Sequence, residues 1–251
     1  MKKFTCIIVC AAWLLPLSII TATCTSRETL TQTSHDGPRF TPPPGAETSE
    51  IKNLIDKAQA AIVGGAISST LLADPEYMAA HEWPRFRKLI RDNAKSNQLT
   101  IVTKQESGEP LFVSGTIRNK AGESIKGALV YVYQTSGKGW YSDRAPHYSG
   151  NSGDEKHARL FGYLTTNQDG QYELRTIRPV GYPNSNLPAH IHIEIEAVGD
   201  EAPTFISEIL FADDPRLTSE ARERSLREGL VVFPVTRTNG EWRVQADFQI
   251  H

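Results

Sequence analysis

Two histidines separated by one residue open an apolar run late in the chain, His190-Ile191-His192-Ile193-Glu194-Ile195. In a strand, residues two apart share a face. Both imidazoles therefore project together, while Ile191, Ile193 and Ile195 turn the other way, towards a core. Tyr182, in a Tyr-Pro step, precedes His190 by eight residues. Two imidazoles at the mouth of a strand, with a tyrosine nearby, can converge on one metal ion. The same pair is also what two exposed histidines on a half-buried strand look like. A metal site needs further donors from elsewhere in the chain.

The elements that must position such donors begin at Leu99. Short β-branched and aromatic runs alternate there with turn residues: Leu99–Thr103, Leu111–Ile117, Ala128–Gln134, Tyr172–Thr176, His190–Val198, Phe205–Phe211, Leu230–Thr236 and Trp242–Ile250. Asn119-Lys120-Ala121-Gly122, Asp169-Gly170 and Asn239-Gly240 punctuate them. This rhythm predicts a mainly β fold, an antiparallel β-sandwich over residues 99–251. One polar, glycine-rich insertion, Ser136–Phe161, is long enough to carry function on a rigid scaffold. Residues 51–98 read as a short helical segment. Ser49 and Asp74 are its capping candidates, and Gly64-Gly65 is a stop. Its last helix holds Arg85, Arg87, Lys88, Arg91 and Lys95, expected to form a solvated basic face.

The chain has 251 residues, 39% hydrophobic and 22% charged, enough for one domain with a sizeable core. Its 27 basic and 29 acidic residues leave a net charge of -2 and no basic stripe, which argues against nucleic acid as a partner. Cys6, Cys10 and Cys24 are all N-terminal, so the body has neither a disulfide framework nor a thiolate metal site. Lys2-Lys3, an apolar stretch to about Ile20 and small residues before Cys24 lay out a signal peptide over residues 1–24. Cys24 stands where a bacterial lipoprotein carries its lipid. The expectation is an exported protein anchored to a membrane there, with plain secretion as the alternative. Residues 25–50, rich in Ser, Thr and Pro, read as a flexible tether.

Three ordered stretches then carry a family resemblance. SGTIRNKAGESIKGALVYVYQTSGKGWYSD, GYLTTNQDGQYELRTIRPVGYP and PAHIHIEI together resemble the intradiol ring-cleavage dioxygenases, the catechol and protocatechuate enzymes. The likeness runs from about Leu111 to Pro215 and more loosely over Trp83–Thr103. It implies a non-haem Fe(3+) cofactor held by Tyr141, Tyr182, His190 and His192. It also implies a small catechol-like aromatic and O2 as partners, and ring opening between the two hydroxylated carbons. Tyr141 matches the tyrosine that leaves the metal to act as a base. The set is chemically coherent, because two phenolates are hard anionic donors suited to ferric iron and two neutral imidazoles leave a coordination position open. A homodimer paired through the N-terminal helices follows by analogy only.

The resemblance has two departures. Leu187 stands where the family places an arginine, and Glu208 where it places a glutamine. Arg144, Arg159 and Arg178 are the nearest candidates in sequence for a replacement cation. Tyr131, Tyr133, Tyr163 and Tyr172 are expected to pack, and His147 and His157 to be loop residues. The same segments also look like transthyretin-like or carboxypeptidase-regulatory β-sandwich modules. On that alternative the chain is a non-catalytic binding module with a vestigial or purely binding metal site. A hydrolase finds little support: Ser142-Asp143 forms no nucleophile motif, and neither G-x-S-x-G nor a phosphate loop occurs.

Overall fold

The computed structural model describes residues 46–142, 158–183, 185–199 and 205–250. The expected leader with Cys24, most of the tether, Asp143, Arg144, His147 and His157 lie outside them. Helix α1 (Ser49–Val63) is capped by Thr48, one residue before the expected Ser49, and buries Ile51, Ile55 and Ala58. A short α2 (Ser68–Leu72) follows. A 3-10 helix (Pro75–Ala80) is capped by Asp74, which accepts from Glu76 N at 2.9 Å. Helix α3 (Pro84–Asp92) completes the segment.

The strands are β1 (Gln98–Thr100), β2 (Pro110–Arg118), β3 (Leu129–Gln134), β4 (Leu160–Thr165), β5 (Gln171–Ile177), β6 (His190–Glu196), β7 (Phe205–Phe211), β8 (Val231–Phe233), β9 (Val235–Thr238), β10 (Glu241–Gln245) and β11 (Phe248–Gln249), with helix α4 (Ser219–Arg227) before β8. One sheet runs β1-β5-β2-β10-β9, with β11 also on β2; the other runs β4-β3-β6-β7-β8. Their inner faces and the buried faces of the helices share one hydrophobic core. The fold is thus mainly β, in two sheets. The central pairings are antiparallel, as expected. Parallel pairings of β1 with β5, β8 with β7, and β10 and β11 with β2 make both sheets mixed. Gly115 of β2 is required where the C-terminal segment crosses, because a Cβ there would overlap the Ala246 carbonyl.

Four elements differ from the sequence expectation: Leu230–Thr236 divides at Pro234 into β8 and β9, which join different sheets, Trp242–Ile250 divides into β10 and β11, and two others arise where none was expected. Strand β4 begins inside the stretch assigned to the long loop, and α4 was not anticipated. The strand is buried on both faces at five of its six positions, so it lacks the alternation that marks a half-exposed strand. Helix α4 buries only Ala221 and Ser225, too little to make an apolar stripe.

The helical segment lies over the outer face of β3 and β4, and here the solvated basic face needs correction at one residue. Arg87 is 1% exposed. It donates to Ala158 O at 2.8 Å, His81 O at 3.2 Å and Tyr131 Oη at 2.5 Å, and its guanidinium lies 3.6 Å from the Phe161 ring centroid. These partners satisfy a charge that could not otherwise be buried. Arg85, Lys88 and Arg91 instead form ion pairs with Asp56, Asp92 and Glu196.

His81, fully buried beside Arg87, yields a pH prediction. Its ring stacks on Phe86 at 5.4 Å and meets Phe161 edge-on at 5.7 Å. Nδ1 donates to Arg159 O at 3.0 Å, while Nε2 has no hydrogen-bond partner among the described residues. Burial, aided by the charges of Arg87 and Arg159, lowers its pKa from 6.5 to about 4. The unfolded chain therefore binds a proton first, and stability is complete above pH 6.5 and lost as pH falls towards 4. The full loss is about 3 kcal/mol. Urea midpoints at pH 7.5 and 4.5 should differ by most of this in the metal-free protein and by much less in His81→Phe. An equal drop in both proteins would rule His81 out as the cause.

Candidate metal centre

Strand β6 sets the site. Ile191, Ile193 and Ile195 are fully buried on the inner face, so His190 and His192 share the outer one. His190 Nδ1 lies 2.8 Å from the Pro188 carbonyl. Donation to that carbonyl fixes the tautomer and leaves the Nε2 lone pair facing the site. His192 lies flat on Tyr133, its partner across β3, with ring centroids 4.4 Å apart and planes 8° apart. The stack continues to Tyr131 at 5.1 Å and Tyr163 at 4.6 Å. Burial, then the neighbouring His190, pushes the His192 pKa well below the usual histidine value. A neutral imidazole is the form that binds metal.

The tyrosines arrive on two loops that touch. Tyr141 follows β3 in a turn closed by Ser136 N to Trp140 O at 2.9 Å, and Arg159 N holds its carbonyl at 2.7 Å. Ser142 donates to Glu82 at 2.6 Å and so anchors the loop to the helical segment. Gly139 has φ +80°, and a Cβ there would stand 2.7 Å from the Gly181 carbonyl; only glycine permits this approach. Tyr182 follows Gly181. The Arg216 guanidinium lies 3.2 Å from the Tyr182 carbonyl and 3.5 Å from that of Leu187. Asp214 accepts from Ala189 N at 3.0 Å and Arg216 N at 2.7 Å, tying this loop to the turn after β7.

These supports bring all four sequence-derived residues together. Tyr141 Oη lies 2.5 Å from Tyr182 Oη and 2.7 Å from His192 Nε2. His190 Nε2 lies 3.1 Å from both Tyr182 Oη and His192 Nε2. Donors about 2 Å from a shared ion stand roughly 3 Å from one another, so this spacing fits a single metal. The donor types fit a hard ion such as ferric iron, with a carboxylate close by. Glu208 is opposite His192 on β7, its Oε1 3.9 Å from His190 Nε2 and 3.8 Å from His192 Nδ1. Among the described His, Cys, Asp and Glu side chains, His190, His192 and Glu208 also stand at metal-binding spacing.

Of the candidate replacement cations, Arg144 lies outside the described residues and the other two are engaged elsewhere. Arg159 forks onto Glu106 at 2.6 and 2.9 Å, and Arg178 onto Asp213 at 2.8 and 2.6 Å. Arg216, not considered from the sequence, is the guanidinium that reaches the ligand-bearing loop. The signal for it was the Asp-Asp-Pro turn just before it, whose Asp214 ends up bonded beside His190.

The family model described as Dioxygenase matches residues 82–251. Catechol 1,2-dioxygenase of Acinetobacter baylyi is 31% identical over 151 residues, covering 54% of this chain and 46% of that protein. Catechol 1,2-dioxygenase 1 of Acinetobacter lwoffii is 27% identical over 155 residues, covering 55% of this chain and 47% of that one. This chain thus spans about half the length of these relatives. Among solved structures, the dioxygenase domain of a dioxygenase carbohydrate-binding protein fusion from Streptomyces sp. SirexAA-E aligns at a TM-score of 0.49 and 26% identity. That alignment covers 62% of this chain and 88% of that one.

Proposed function

The chain belongs to the intradiol dioxygenase family, and from that premise we propose that it is a non-haem ferric enzyme that uses O2 to open a catechol-type ring between its two hydroxylated carbons. The observation that carries this reading is the quartet of Tyr141, Tyr182, His190 and His192, each with its donor atom within 3.1 Å of the next. A set kept only for packing would have no need of four convergent metal donors.

A ferric ion held by these residues supplies Lewis-acid activation of a bound catechol. The residues do the rest. His190, with its tautomer set by Pro188, and His192, held flat on Tyr133, keep two neutral nitrogens fixed. Tyr182, clasped by Arg216, gives a phenolate oxygen. Tyr141 Oη, in contact with both Tyr182 and His192, is the group that accepts a substrate hydroxyl proton, acting as the base. Its own burial, at 2% exposure, keeps bulk water from competing for that proton. Leu187 and Glu208 leave the pocket without the family's arginine and glutamine, which bears on substrate choice more than on metal binding.

The same proposal includes location: an exported protein tethered by a lipid on Cys24, with the catalytic body held off the membrane by the tether expected over residues 25–50. The visible spectrum of the purified protein tests the central reading. Ferric tyrosinate produces a reddish charge-transfer band that should shift when a catechol is added. A protein that stays colourless after iron is supplied would leave the binding-module alternative in its place.

A further inference from the structure

We infer that Glu208 selects the substrate, favouring catechols whose further ring substituent donates hydrogen bonds and rejecting those that carry an anion. This assignment rests on the ferric-site reading above. His192 and Glu208 are register partners on adjacent antiparallel strands, so their side chains stand on the same face. The carboxylate reaches within 3.9 Å of both imidazoles. It is also more open than either imidazole: its side chain is 27% exposed, against 16% for His192 and 7% for His190. Solvent, and therefore a ligand, meets the centre from the side where Glu208 stands.

Its chemistry is one-sided. An ionised carboxylate accepts hydrogen bonds and donates none. Among the described residues the only basic groups within ion-pair distance of it are the two imidazoles, which carry no charge as neutral metal ligands, and no side chain donates a hydrogen bond to it. Among the described residues the arginines nearest to it are engaged elsewhere: Arg159 with Glu106, Arg178 with Asp213, and Arg216 with backbone carbonyls. The neighbouring rim residue Leu187 is 45% exposed and brings no charge. A ring that reached the centre from this side would pass the carboxylate. A hydroxyl or ammonium group there gains a charge-assisted bond, whereas a carboxylate meets a like charge in a partly desolvated place.

The test is anaerobic binding, read from the shift of the visible band in iron-loaded protein, for benzene-1,2,4-triol, catechol and 3,4-dihydroxybenzoate. The triol should bind at least about tenfold tighter than the benzoate in the wild type, the size expected of one hydrogen bond to a charged group. In Glu208→Gln the two should converge, chiefly because the benzoate gains affinity, while bound iron stays equal to wild type. An unchanged preference in Glu208→Gln would overturn the assignment. Loss of iron from that variant would also overturn it, since Glu208 would then be a metal ligand. If no catechol shifts the wild-type band, the ferric-site reading fails together with it; if all three shift it alike, only the selector role fails.

Discussion

Replacing His192 with alanine should strip the protein of iron and of its visible band. The imidazole is one of only two nitrogen donors in the quartet, and its Nε2 touches both Tyr141 Oη and His190 Nε2. Losing a residue that merely orients a metal ligand costs about 10- to 100-fold in affinity; losing the ligand should cost more. Metal analysis after dialysis reads this directly. Tyr141→Phe should behave differently, keeping iron on Tyr182, His190 and His192 while turnover falls by about 100-fold or more, the share that a positioned base supplies. Full activity in Tyr141→Phe would sink the assignment of Tyr141 as the base, and full iron content in His192→Ala would sink the ligand set.

The second large effect concerns stability. Arg87→Met keeps the volume of the stem but leaves the Ala158 and His81 carbonyls without their guanidinium donor. It also removes the stack on Phe161. Leaving a buried acceptor without its donor costs about 1–3 kcal/mol each, so losing the donor to both carbonyls should cost roughly 3–5 kcal/mol. That is at least about a fifth of a typical domain's stability, and it should lower the melting temperature by roughly 10 °C for a chain of this size. Arg85→Met, whose side chain is 41% exposed in its pair with Asp56, should cost less than about 1 kcal/mol. Similar losses in both variants, measured by urea unfolding, would contradict the burial argument.

These two arginines show where the sequence was legible. Alternation exposed the face that carries His190 and His192, because a half-buried strand must repeat every two residues. Turn residues located most of the strands for a similar local reason. Arg87 and Arg85 sit two positions apart on one short helix, on roughly opposite faces, but a charged residue at either position reads as solvated until its partners are known. What buries Arg87 is a carbonyl 71 residues away, at Ala158. The site followed the same division. The tyrosines and histidines could be named from motif order, but the clasp of Arg216 and Asp214 on the Tyr182 loop is formed across 34 and 25 residues respectively. The carboxylate of Glu208 was visible as a departure from the family. Its place against both imidazoles needed the β6–β7 register.

The position of β2 in its sheet has a kinetic consequence. One edge pairs with β5, but the other waits for β10 and β11, the last strands of the chain, through contacts spanning 131 residues. Bringing such distant segments together is entropically slow, so this chain should refold far more slowly than a helical protein of its length. Until Glu241–Gln249 is in place, β2 presents an unpaired edge to any other strand, including another copy of itself. Translation that stops short of these residues would therefore leave an aggregation-prone intermediate rather than a slightly shortened form of the same fold.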